Sequence, residues 1–388
     1  YWFFEIRSLG GAIIMMSLVL YPYVYLLARA AFLEQSVSSI EVGCSLGYSR
    51  WQALWKLALP MARPAIIAGL SLALMETLAD YGTVQYYGVS TFTTGIFRTF
   101  YGYGDTAAAA QLAASLLAFV ILLVLLERYS RRRARYHSAA ESRARADLIP
   151  LSGSKAIMAC VICFSPLMFG FIIPATQLLL WAVFEAEPLG WDFVGLAWNS
   201  FSLAFLAAII AVILAIILSY AKRTKPIKPV RTVLAMAGFG YALPGTIIAI
   251  GVLIPLAWLD HRLIDIFGSL GWDSPGLLLS GSLVALLFAY TVRFLAVALG
   301  SVQSGLEKIK PSLDHVGRSM GHSPLDILRK IHVPLMRSSI LTAVLIVFVD
   351  VLKELPATLI LRPFNFNTMA VRAYELASDE RLVDAAPA

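Results

Sequence analysis

The sequence predicts an all-α, polytopic membrane protein, and three observations carry that prediction: an excess of apolar residues, long apolar runs along the whole chain, and basic residues gathered in alternate loops. Of 388 residues, 59% are hydrophobic and 14% charged, with a mean hydropathy of +0.76. Soluble domains average about 45–50% apolar and about 25% charged. A water-soluble enzyme is thereby excluded. The net charge of +7 belongs to short loops, so it does not indicate nucleic-acid binding. Three cysteines, Cys44, Cys160 and Cys163, are too few for a disulfide framework, and Cys160-x-x-Cys163 lies inside an apolar run, where packing is the expected role.

Apolar stretches occur at about 10–33, 65–88, 107–126, 156–184, 199–221, 232–257, 277–298 and 339–361. Each approaches the roughly 20 residues that cross about 30 Å of hydrocarbon as a helix. Backbone amides cannot go unpaired in lipid, and these runs are too long for barrel strands, so eight helical crossings are expected. With 34–64 on the cytoplasmic side, the inner loops 34–64, 128–155, 222–231 and 301–338 hold 22 Lys and Arg, and the outer loops hold 5. That imbalance fixes the orientation. Residues 128–155, with Arg128, Arg131, Arg132, Arg133, Arg135, Arg143 and Arg145, form a basic cytoplasmic linker between residues 1–127 and residues 156–388.

An offset of 274 residues aligns Glu41–Ile66 with His315–Ile340, and 10 of those 26 positions are identical; unrelated segments would share about 2. The register continues through Leu78/Leu352, Thr94/Thr368, Arg98/Arg372 and Asp105/Asp379. The chain therefore contains a duplicated unit. Six crossings separate the copies, so both lie on the same membrane face and the halves are related by an axis along the membrane normal. By the same arithmetic, residues 1–127 are expected to be the C-terminal part of a first half, and 156–388 a second half without its last helix. About 8 of 12 helices of a two-half molecule are then expected here.

Each repeated segment is amphipathic and broken by glycine. Ser49 is expected to cap a piece carrying Trp51, Leu54 and Trp55. Ser323 is expected to cap one that starts at Pro324 and carries Leu325, Leu328 and Ile331 on one face. Two such surfaces on one membrane face suit a dimeric partner with paired clefts.

Glu41-Val42-Gly43, Gly47 and Leu57-x-Leu59-Pro60, with His315-Val316-Gly317, Gly321 and Ile331-x-Val333-Pro334, resemble the EAA loop of binding-protein-dependent ABC import permeases. The spacing from Gly to Pro is 13 in both copies. Valine and glycine replace the two alanines, and His315 replaces the glutamate of the second copy. The resemblance implies the type I ABC importer permease fold, a multi-pass place in the bacterial cytoplasmic (inner) membrane, and two coupling loops that insert into a separate ATPase dimer. It also implies a periplasmic binding protein that delivers cargo. ATP then binds the partner; no Gly-x4-Gly-Lys-Ser/Thr sequence is present, and no cofactor is expected on this chain. The stretches 76–83 and 293–298, and Lys353-Glu354-Leu355-Pro356-Ala357-Thr358 through Leu361-Arg362-Pro363, are similar to the fused ferric-iron permeases, which implies Fe3+ as cargo. Sulfate, molybdate, thiamine, polyamine and phosphonate permeases share the EAA loop, so these cargoes stay open. A major-facilitator-type secondary transporter also joins two parallel halves by a basic loop, but it does not need the repeated amphipathic segment. A channel would need a ring-like filter sequence, and none is evident.

Glu76 and Asp80 are spaced i, i+4, and Asp350 and Glu354 occupy the repeat-equivalent positions. Ionisable groups at such depth normally face a protein interior or a wet cavity. Glu76 and Asp350 are candidates to line a pathway for a hard, oxygen-preferring cation, with Lys353 neutralising part of the cluster. Interhelical hydrogen bonding is the competing role, more so for Asp80 and Glu354. Gly238-x-Gly240 and Pro244-Gly245 indicate a local break or close helix packing, because no strand precedes them. His315, His322 and His332 share a loop without metal-ligand spacing.

Overall fold

The computed structural model describes residues 5–34, 43–132, 151–186, 190–274 and 276–388, and those residues are helical with no strand among them. Glu41 and residues 133–150 of the basic linker lie outside the described residues. Seven helices among the described residues are long and apolar enough to cross a membrane, and a bent pair makes an eighth. The long helices are α1 (Leu9–Glu34), α2 (Leu59–Ala79), α3 (Thr106–Arg132), α4 (Ser154–Leu167), α5 (Trp191–Thr224), α6 (Gly245–Ser269), α7 (Leu283–Glu307) and α8 (Arg337–Leu352). A run of π-helical and α-helical turns continues α4 to Glu185.

The contacts divide the chain into two compact units that cut across the sequence repeat. One comprises residues 1–91 and 115–185 and is organised by the packing of α1 on α2. The other comprises 92–114 and 186–388 and is built on α5, which packs against α7 and α8. The buried face of α5 is mostly small residues, among them Ser200, Ala204, Ala207, Ala208, Ala211 and Ala215, with Leu203 and Val212 beside them. Lipid tails are as apolar as leucine, so helices in a membrane associate by close van der Waals contact, and small side chains permit it. In the same unit the 92–114 segment reaches the short helix Pro356–Leu361, where the Tyr101 hydroxyl donates to the Leu359 carbonyl.

Four expected spans differ in their limits. The 65–88 run is helical only to Ala79, after which Asp80 turns extended (ψ 138°) and a separate short helix, Gly82–Tyr86, begins. The 232–257 run is not one helix. Lys228–Ala237 ends at Gly238, a 3-10 turn spans Gly240–Ala242, and α6 starts at Gly245 and runs on to Ser269, through residues expected in an outer loop. At Gly240 a Cβ would lie 2.0 Å from the Val292 carbonyl oxygen, so the break and the close packing coincide. The 277–298 run starts later, at Leu283, because Ser282 caps α7 by accepting from the Val284 amide at 3.2 Å, and it extends to Glu307. The 339–361 run stops at Leu352 and restarts at Pro356, a proline at the favoured first-turn position of the next helix. Hydropathy averages over such breaks because the residues on either side of them are mostly apolar.

Candidate functional site: twin loops and two broken spans

The repeated loops fold alike. In the first, Gly47 takes φ +86°, Ser49 is an N-cap whose hydroxyl accepts from the Gln52 amide at 3.2 Å, and the Gln52 side chain accepts from the Ser49 amide at 3.1 Å. In the second, Gly321 takes φ +81°, and Ser323 and Asp326 make the same reciprocal box at 3.2 and 3.3 Å. The Ser323 hydroxyl also donates to Asp326 and holds its carboxyl below the usual aspartate range. Left-handed backbone is costly for any residue with a Cβ, which accounts for glycine at both turns.

Gly43 and Gly317 serve the next contact. A Cβ on Gly43 would meet Leu57 Cδ1 at 2.7 Å and Ala53 Cβ at 3.0 Å. On Gly317 it would meet Ile327 Cγ1 at 2.9 Å and Ile331 Cδ1 at 3.5 Å. Ala53/Ile327 and Leu57/Ile331 are repeat-equivalent, so the same two positions close each loop on itself. Pro60 and Pro334 stand in the first turns of the helices that leave the loops. His315 lies exposed on the helix Ser312–Ser319, and the helical pieces after Ser323 meet α8 at a 77° bend.

What each loop presents outward is also paired. Leu46 and Met320 are equivalent and each is 70% exposed; Trp51 (66%) and Leu325 (54%) form a second equivalent pair. Leu325 is more exposed than Leu328 and Ile331, the residues expected on its face. Trp55, packed edge-on against Trp51, adds exposed aromatic surface to the first loop.

The second loop is tied to α5. Arg223 donates through Nε to Asp314 Oδ2 (2.8 Å), through Nη1 to the Leu306 carbonyl (2.7 Å) and through Nη2 to the Ile309 carbonyl (3.0 Å). The other Asp314 oxygen lies 2.9 Å from Nε2 of the buried His332. Tyr220 packs edge-on against His332 and donates its hydroxyl to the Pro324 carbonyl at 2.6 Å.

The carboxylates divide differently from their i, i+4 spacing. Glu76 is half-buried on α2, but the helix ends before Asp80, so the two do not share a helical face. Asp80 instead starts the next short helix, accepting from the Val84 amide and the Thr83 hydroxyl, both at 3.0 Å. Glu354 does the same after α8: its Oε1 accepts from the Ala357 amide at 3.2 Å and from Arg293 Nη1 at 3.0 Å. Both side chains of that ion pair are buried, at 9% and 5% exposure. The pair sits where the breaks preceding α6 and following α8 meet, since a Cβ on Gly245 would overlap both groups. Beside it the Tyr290 and Thr358 hydroxyls hydrogen-bond, and Thr358 also donates to the Glu354 carbonyl. Asp350, one turn earlier, pairs with the half-exposed Lys353 at 3.0 Å.

Sequence reasoning noted Arg293 only within a family-like stretch and counted Arg223 only as an inner-face charge. A lone arginine in an apolar run demands a buried partner, and that was the available signal.

Residues 4–136 match the family described as binding-protein-dependent transport system inner membrane component. The chain is 26% identical over 389 residues to the Fe(3+)-transport system permease protein FbpB 2 of Haemophilus influenzae, covering 99% of this chain and 74% of that protein. It is 22% identical over 386 residues to the ferric transport system permease protein FbpB of Actinobacillus pleuropneumoniae, covering 95% of this chain but 54% of the relative. The chain thus spans little more than half of that second permease. A putative 2-aminoethylphosphonate transport system permease protein of Salmonella typhimurium matches half of the chain at 23% identity. With its apolar helices, the chain is similar to the multi-pass ABC-type permeases of the bacterial inner membrane, and to the ferric-iron permeases along nearly its whole length.

Proposed function

We propose that this permease imports ferric iron, driven by a separate ATPase dimer that grips its two inner loops and supplied by a periplasmic binding protein. The observation that carries the ATPase reading is the duplication of exposed apolar positions, Leu46/Met320 and Trp51/Leu325, on loops with the same glycine turn and the same cap. Large apolar side chains held out by a rigid, closed loop are what a cleft-bearing partner can bury. Ferric iron as cargo is supported by the resemblance to two ferric permeases.

Of the acids in the broken spans, Glu76 and Asp350 are the ones we assign to the pathway, because Asp80 and Glu354 are committed to helix starts. Carboxylate oxygens suit a hard cation. The test is uptake into vesicles that hold the full-length permease, its ATPase and its binding protein. Ferric iron is expected to accumulate only with ATP, and to fall at least tenfold in Glu76→Ala or Asp350→Ala assemblies that still form. Uptake of sulfate, thiamine or 2-aminoethylphosphonate in place of iron would overturn the cargo and keep the permease.

A further inference from the structure

We propose that the two loops do not transmit the ATPase stroke alike: Arg223, Asp314 and His332 form a clamp that couples the second loop alone to α5. The inference rests on the ATPase reading above and goes beyond it by naming the positioning residues. Arg223 spends its donors on three places at once: the loop carboxylate, the carbonyl of Leu306 at the end of α7, and the carbonyl of Ile309 beyond it. Both ends of the ion pair are largely withdrawn from solvent, at 16% and 14% exposure, so solvent weakens it less than an exposed surface pair. Asp314 Oδ1 also lies 2.9 Å from Nε2 of the fully buried His332, a charge–dipole contact too poorly aligned to be a hydrogen bond, and Tyr220 of α5 rests on that ring and holds the Pro324 carbonyl. The inner end of α5 is thereby joined to both helical pieces of the loop, including the piece that displays Leu325. A displacement of the loop must carry α5 with it or break a partly buried charge network.

In the first loop the equivalent positions are Ile40 and Ala58, so neither the carboxylate nor the imidazole is available there. That loop closes by apolar contact of Gly43 with Ala53 and Leu57. Its grip on a partner resides in Trp51 and Trp55.

The experiment uses the full-length permease with its ATPase in nanodiscs and compares amide hydrogen exchange with and without vanadate-trapped ATP. In the parent, trapping is expected to change exchange in residues 191–224. In Asp314→Asn the ATPase should still copurify at the parent ratio, while the change in 191–224 falls at least fivefold and that in 59–79 persists. His332→Ala, which places the first loop's buried residue in the second, carries the same expectation should Asp314→Asn yield no monodisperse protein. A full response of 191–224 in the variants would overturn the clamp, and so would loss of the ATPase, which would make the network a shaper of the docking face. A parent that neither binds the ATPase nor responds to nucleotide would instead overturn the ATPase reading itself.

Discussion

Glu354→Ala tests the architecture of the second unit most severely. It removes the carboxylate that pairs with Arg293 and caps Ala357, in a place where 9% and 5% of the two side chains are exposed. Breaking a buried pair from one side costs about 3–5 kcal/mol, because the remaining charge is left without compensation, and loss of the cap adds about 1 kcal/mol. Arg293 has nowhere to go: its Nε already lacks a hydrogen-bond partner, and the backbone at Gly245 closes the space beside it. Glu354→Gln keeps an acceptor for the Ala357 amide and loses only the charge, so it is expected to cost less. The double variant Arg293→Met/Glu354→Leu leaves no buried charge over and is expected within about 1–2 kcal/mol of the parent. Equilibrium unfolding in mixed micelles, followed by tryptophan fluorescence, measures all three. A shift under about 1 kcal/mol for Glu354→Ala, or a double variant as weak as the single, would refute the reasoning.

The loops yield further expectations. Gly321→Val places a β-branched residue at φ +81° and is expected to cost about 1–3 kcal/mol, read as reduced ATPase copurification with α8 unaltered. Gly317→Leu drives a side chain into Ile327 and Ile331, and the added variant Ile327→Ala is expected to recover at least half of the loss in the same unfolding assay. Trp51→Ala should leave stability within about 0.5 kcal/mol, since the ring is 66% exposed, yet weaken ATPase binding by about 2 kcal/mol or more, measured by titration in nanodiscs.

The loop chemistry was legible in the sequence because duplication supplied its own control. Gly47/Gly321, Ser49/Ser323 and Pro60/Pro334 recur at one offset, and each recurs for a local backbone reason: a left-handed turn, a cap, a first-turn proline. The breaks at Asp80 and Glu354 were not legible from helical spacing, since a carboxylate four residues after another reads as the same face until the backbone turns extended between them. The Arg293–Glu354 pair joins residues 61 apart, and Arg223–Asp314 joins residues 91 apart. No local pattern encodes such a contact; only the cost of an unpaired buried charge announces that a partner exists. The break inside the 232–257 run was announced by Gly238, Gly240 and Pro244 themselves, whereas hydropathy alone runs across it, because these residues interrupt the helix without interrupting the apolarity.

The twin inner handles are tested most directly by photo-crosslinking from Leu46→Cys and Met320→Cys, each made alone in a protein whose Cys44, Cys160 and Cys163 are replaced by serine and labelled with a short benzophenone. Equal exposure at the two positions predicts that both label the ATPase, each one subunit of the dimer, in vesicles active for transport. Labelling from one position only, or from neither, would contradict the account.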